Sequence, residues 1–215
     1  MNNYVIAIED NPRSVEIAKR CIGSAAQHGA KVEIFPAITP RNTDIYKLAE
    51  QEGISTKGFS EVYSRLDNCI AAFLSHYSIW KLAAESHKPV TIFEHDAVVV
   101  QQLNTTIPFD KVVTLGKPSY GRFNTPSFLG TGPLTQKPYF GGAHAYRMNK
   151  EGAAELIKQA KIEARPTDVF LNRDTFPWLQ ENYPWKVEVN EAFSTIQKTQ
   201  GCLAKHQYGE SYELL

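Results

Sequence analysis

The chain has 215 residues, and its Lys plus Arg and Asp plus Glu both total 23, so the formal net charge is zero. That length suits one substantial core, and the charge balance lacks the basic footprint of general nucleic-acid binding or of attachment to an anionic membrane. Cys21, Cys69 and Cys202 are far apart, odd in number and without zinc spacing, which argues against a disulfide framework and suits reduced thiols in a cytoplasmic protein.

Met1-Asn2-Asn3-Tyr4 leads straight into a short apolar run, with neither a basic n-region nor a signal-length h-region. No stretch approaches the roughly 18 apolar residues of a spanning helix, so no transmembrane segment is expected. Residues 4–8 read as a short apolar strand, followed by the polar turn of residues 9–14. From Val15 the positions Val15, Ile17, Ala18, Cys21 and Ile22 share one helix face, closed by Gly29. Residues 32–35 alternate like a second strand before Pro36 and Pro40 break the pattern. A short helix is predicted over 44–52, and the strongest helix over 68–85, where Cys69, Ala72, Phe73, His76, Ile79, Trp80 and Ala83 make a broad apolar face.

Strands are predicted at 90–93 and 111–115. Residues 116–142 are rich in Gly, Pro, Ser, Thr and aromatics without periodicity. A loop of that length in a compact domain is usually functional, such as a lid or an acceptor-binding segment. A strand at 143–148, a helix at 150–161, a short helix after Asp168 and a late strand at 185–189 complete the pattern. With no repeat and no linker, the expectation is one α/β domain over residues 1–215, with a mainly parallel central sheet flanked by helices.

The chemistry-bearing cluster is Phe93-Glu94-His95-Asp96, where a β-branched, apolar run stops at two carboxylates around an imidazole. In open α/β sheets, ligands bind beyond the carboxyl ends of the strands. Acids placed there are costly to desolvate unless a cation or polar partner satisfies them, and oxygen ligands at this spacing suit Mg or Mn bridging to substrate phosphates. A solvated strand-end turn is the plainer alternative. Two residues apart on a strand, Glu94 and Asp96 would face the same side. Asp10, Asn11 and Arg13 follow the first strand, where Arg13 would meet a phosphate or Asp10 or Asn11 would simply cap the helix. Asp168 follows Pro166 and opens a helix, a capping position as well as a place for a base. Adjacent on a helix, Ser75 and His76 point to different faces, so they are not a nucleophile–base pair; His76 is expected to support the strand end at Glu94. Gly141-Gly142 would let backbone approach a sugar, or merely join loop to strand. His206 is either a late metal or phosphate contact or a solvated tail residue.

Several of these segments together resemble glycosyltransferase family 25, the lipooligosaccharide galactosyltransferases and their collagen-modifying relatives. Ser75-His76 with Trp80 four residues on is similar to the family's Ser-His-x-x-x-Trp helix, and Ile92-Phe93-Glu94-His95-Asp96 resembles its Leu-Glu-Asp-Asp strand end. Residues 145–153 resemble its Ala-Tyr-x-Ile-Ser-x-x-Gly-Ala segment, and Pro166-Thr167-Asp168 its Pro-x-Asp. The likeness runs in order over about residues 4–200. It implies a GT-A-like scaffold that passes a hexose, with inversion, from a nucleoside diphosphate sugar, UDP-linked, to a hydroxyl of a glycan or lipooligosaccharide acceptor. It implies Asp168 as the base, Glu94 at the sugar, Tyr146 beside the donor, and Asp96 with His95 at a Mn or Mg ion. His95 stands where the family has the first of two adjacent aspartates, and imidazole suits Mn better than Mg. Two rival readings fit the same residues: a non-catalytic sugar-nucleotide or glycan binder, motivated by His95, and a transferase that glycosylates modified DNA bases.

Overall fold

The computed structural model describes residues 2–59, 65–103 and 107–190, with the backbone alone at 193–194 and 213–214. His206 lies outside the described residues. Strand β1 (Asn2–Ala7) leads into helix α1 (Pro12–Gln27). Pro12 supplies a preset φ at the first helical position, and the Asn11 side chain accepts the backbone N–H groups of Arg13 and Ser14. Strand β2 (Glu33–Pro36), helix α2 (Ile45–Gln51) and helix α3 (Leu66–Glu85) follow. Next come β3 (Val90–Glu94), β4 (Ala97–Val99), β5 (Val112–Thr114), β6 (Gly130–Pro133) and β7 (Ala145–Met148). Helix α4 (Lys150–Ile162), the four-residue α5 (Thr167–Phe170), β8 (Gln180–Tyr183) and β9 (Val187–Val189) complete the elements that position the site.

Seven strands pair in the order β2-β1-β3-β7-β5-β8-β6. β1 runs parallel to β2 and β3, and β5 parallel to β8; only β6 and β7 run the other way. The sheet is therefore mixed but mainly parallel, as the alternation of strands and helices predicts. Because β2 and β3 lie on opposite sides of β1, the chain reverses direction across the sheet there. Such a switch point leaves a crevice beyond the carboxyl ends of the two diverging strands. By that rule the switch-point crevice is expected between the turn after Ala7 and the turn after Glu94.

Two apolar layers flank the sheet. Ile6, Val90, Ile92, Val112, Tyr146 and Met148 face α3 and α4, whereas Val5, Ala7, Phe93, Val113 and Ala145 face α1 and β4. The strict alternation of neighbouring residues between the two layers is the pleat of a sheet covered on both faces. Helix α3 is buried along most of its length, with Phe73 and Trp80 each at 5.4 Å from the Phe170 ring. Gly152 opens α4 where a Cβ would come 2.3 Å from the Lys111 carbonyl oxygen. Only glycine allows that close approach of α4 to the strand beside it.

Three features depart from the sequence reading. Residues 116–142 are not a free loop: β6 adds an edge strand antiparallel to β8, and Gly116 bridges to Val187. β8 itself carries no apolar signal, yet it is internal to the sheet. Its Glu181 is 0% exposed and accepts the backbone N–H and hydroxyl of Thr135 and the N–H of Gln136. Burial raises the Glu181 carboxyl above its usual range, and the Thr135 and Gln136 donors act against that shift. Last, the late strand β9 leaves the main sheet and pairs with β4. Replacing Glu181 by Ala strands these donors in the interior, with an expected loss of about 3 kcal/mol in urea unfolding; a loss within 0.5 kcal/mol of zero, the range of a surface substitution, would show that the contacts do not hold the loop.

Candidate active site

The site grows from one buried chain of hydrogen bonds. α3 presents His76 and Trp80 one helical turn apart, β7 presents Tyr146, and β3 ends at Glu94. The Trp80 indole N–H donates to the Tyr146 hydroxyl at 2.8 Å, and that hydroxyl lies 2.8 Å from His76 Nδ1. His76 Nε2 lies 3.3 Å from Glu94 Oε1. An indole only donates, so the tyrosine accepts it and gives its own proton to Nδ1. The imidazole proton then sits on Nε2 and faces Glu94, a tautomer assigned from the network.

Burial pushes His76 down to about 3, against the opposing pull of the Asp168 charge. The contact with Glu94 is accordingly a hydrogen bond from a neutral imidazole to a carboxylate and not a salt bridge. Burial also holds the Tyr146 phenol well above its ordinary range, opposed by the Trp80 hydrogen bond and reinforced by the Glu94 charge. The tyrosine therefore remains a proton donor.

Asp168, on α5, acts on the same centre through its charge. Its Oδ2 accepts the Tyr120 hydroxyl, and its Oδ1 accepts the Val169 N–H at 2.8 Å. Burial, then the Asp168 charge and hydrogen bond, keep the Tyr120 phenol protonated far above neutral pH. Lys137 lies over the Tyr120 and Tyr139 rings, 4.5 and 5.1 Å from their centroids. Tyr120, Lys137 and Tyr139 were not singled out from sequence; their only signal there is the aromatic content of an aperiodic segment.

His76 contacts Glu94 and lies within the field of Asp168, but the structure parts Glu94 from Asp96. β3 ends at Glu94 and residues 95–96 turn, so the two-residue alternation predicted for this pair stops. Glu94 faces the α3 layer. Asp96 lies on the α1 side, where burial first and the Asp96 charge second push the Cys21 thiol up to about 12. One Asp96 oxygen, Oδ1, is buried without a hydrogen-bond partner among the described residues.

Of the residues expected at the nucleotide, Asn11 is engaged as the α1 cap, and Asp10 pairs with Arg41 at 3.6 Å on the surface. Arg13 lies in the first turn of α1 at the switch-point crevice. Tyr146 departs from expectation: at 0% exposure, with its hydroxyl shared by His76 and Trp80, it supports the site from beneath. Ser75 is occupied structurally, accepting the Ile38 N–H and donating to the Ala71 carbonyl, both at 2.9 Å. The glycine pair also has an internal cause. Gly142 has φ +100°, and a Cβ there would come 2.3 Å from Ser119 Oγ, so the segment after Gly116 demands a glycine at that position.

Among the described residues, no three His, Cys, Asp or Glu side chains are grouped to hold a metal. Mg and Mn are commonly bound by one or two carboxylates with substrate phosphates completing the shell. The orphaned Asp96 oxygen, with His95 next to it in the turn, fits that sparser pattern.

A profile of glycosyltransferase family 25, described as an LPS biosynthesis protein family, matches residues 1–126. The matched stretch holds the β1 turn, α3 and the Glu94–Asp96 strand end. No curated protein matches the chain. Among solved structures, the apo-form of glycosyltransferase GlyE from Streptococcus pneumoniae TIGR4 aligns at 12% identity and a TM-score of 0.44, over 84% of this chain and 44% of that one. A second GlyE structure aligns at 11% and 0.41, over 85% and 45%. The chain thus spans less than half the length of these solved structures.

The neutral state of His76 is directly testable. Its ring resonances should stay fixed from pH 8 to pH 5, and a titration near 6.5 would refute the burial argument. An unfolded imidazole takes up its proton near 6.5 while the folded one refuses it until about 3. Urea unfolding should therefore show stability falling as pH drops through that window.

Proposed function

The chain belongs to glycosyltransferase family 25, and from that premise we propose that it transfers a hexose, with inversion, from a UDP-linked sugar to a hydroxyl of a glycan such as a lipooligosaccharide. One observation carries the reading: a family match that includes the Glu94–Asp96 strand end, in a fold where His76 holds Glu94 at 3.3 Å and feels the charge of Asp168. In this reading the scaffold is GT-A-like and works on the cytoplasmic side. No helix among the described residues is long and apolar enough to cross a membrane.

The donor's diphosphate would lie in the switch-point crevice, against the first turn of α1 and Arg13. Glu94, fixed by the neutral His76, orients the hydroxyls of the transferred sugar. Asp168 is the base. A carboxylate accepts several hydrogen bonds at once, so it can receive an acceptor hydroxyl. As the acceptor oxygen bonds to the anomeric carbon, its proton passes to Asp168. The bond to the diphosphate breaks on the opposite face, and the nucleotide leaves with the electron pair. A Mg or Mn ion, held by Asp96 beside His95, would neutralise the charge on the leaving diphosphate.

The test is UDP release from a panel of UDP-hexoses with Mn, with Mg and with chelator. Asp168→Asn should lower turnover by about 10²–10⁴-fold while donor affinity, measured by calorimetry, stays unchanged. Asp96→Ala should lower turnover in the presence of metal, and equal turnover would remove Asp96 from the mechanism. Donor binding without turnover under every condition would favour the non-catalytic binder.

A further inference from the structure

A recess is linked to Asp168 through Lys137 and the Tyr120 ring. It is an open concavity of about 590 Å³, built where residues 121–124 and 135–138 meet Arg173. Three cations line it: Arg122, Lys137 and Arg173. Among the described residues none of the three pairs with a carboxylate. Lys137 is only 7% exposed, and among the described residues its ammonium contacts the Tyr139 hydroxyl at 3.4 Å. An ammonium so enclosed is costly without a counter-charge. The acids around it are engaged elsewhere or lie off the lining: Glu181, behind the wall, accepts the Thr135 and Gln136 N–H groups, Asp168 accepts the Tyr120 hydroxyl, and Asp174 follows Arg173 without lining the recess.

The walls suit a polar ring. Phe123 offers a face braced edge-on against Trp185 at 5.7 Å. Gln136 gives its carbonyl to the Trp185 indole at 2.7 Å, which leaves its NH₂ end as a donor. The recess is also tied mechanically to the proposed base. The Arg173 N–H donates to the Pro138 carbonyl at 2.8 Å, and the Tyr120 ring beneath Lys137 carries the hydroxyl that binds Asp168. The switch-point crevice lies at the other end of the strand order, between β1 and β3.

We infer that this concavity binds the anionic group, phosphate or carboxylate, of a saccharide acceptor. The inference rests on the transferase reading for the word acceptor, but the site itself is tested by binding alone. The cations hold the charged group while a neighbouring sugar hydroxyl is directed at Asp168. Neutral sugars lose the charge-assisted hydrogen bonds and bind weakly.

The experiment is calorimetric titration of the full chain with glucose 6-phosphate and with glucuronate, against glucose and inorganic phosphate. At least one charged sugar should bind about tenfold or more tighter than both glucose and phosphate, and R122Q/R173Q should remove that preference. Both arginines are exposed, so the double variant should unfold in urea like the parent. Which charged sugar prevails identifies phosphate or carboxylate as the recognised group. Glucose binding as well as the charged sugars, phosphate alone binding as well as the sugar phosphate, displacement by UDP, or indifference to R122Q/R173Q would each overturn the inference. A chain that shows the preference but turns over no donor keeps this site and loses the transferase reading; one that turns over donor without the preference loses only this site.

Discussion

Everything at the strand end depends on a hydrogen-bonded line running from Trp80 through Tyr146 and His76 to Glu94. It threads three elements, α3, β7 and β3, through an interior where an unpaired polar group is costly. Each member has one geometry that satisfies it. The indole can only donate, so the phenol must accept and pass its own proton on, and the imidazole must present Nε2–H to the carboxylate. The line thus converts the packing of a buried helix into the orientation of one acid at the edge of a crevice.

Around that line the sheet divides the chemistry between its faces. The α3 side holds Glu94, His76 and, through Tyr120 and α5, Asp168. The α1 side holds Asp96, whose charge acts on Cys21. This split follows from β3 ending at Glu94 with a turn in place of a continued strand. In the transferase reading it separates the handling of the sugar and acceptor from the handling of the diphosphate. Those tasks make opposite electrostatic demands, since a base must stay able to take a proton while the leaving group needs positive charge nearby.

What could be read in advance follows from which forces leave a trace in sequence. α3 announced itself because burial on a broad face demands apolar residues at helical spacing, and Val90 to Phe93 did so because a strand covered on both faces is apolar throughout. The strand-end acids were visible for the same reason, as an abrupt stop in that run. β8 was not: Gln180 to Tyr183 is held by side-chain hydrogen bonds to Thr131, Thr135 and Gln136, and such bonds leave no periodicity. β6 was hidden in turn, because Gly130-Thr131-Gly132-Pro133 has the composition of a loop and becomes a strand only on meeting β8. The side of the sheet to which Asp96 turns, and the Tyr120–Asp168 contact, are tertiary facts with no local signature. Tyr146 was found as part of a motif, but its burial beneath His76 required the packing to be seen.

The most direct measurement of the central claim is an NMR titration of the isotope-labelled chain with a UDP-hexose, following the His76 Nε2–H signal together with the backbone amides. If Glu94, held by His76, faces the donor at the switch point, that signal should shift in step with amides near residues 8–13 and 94–96 as donor is added. Saturable binding that moves amides elsewhere and leaves the His76 proton untouched would contradict the account.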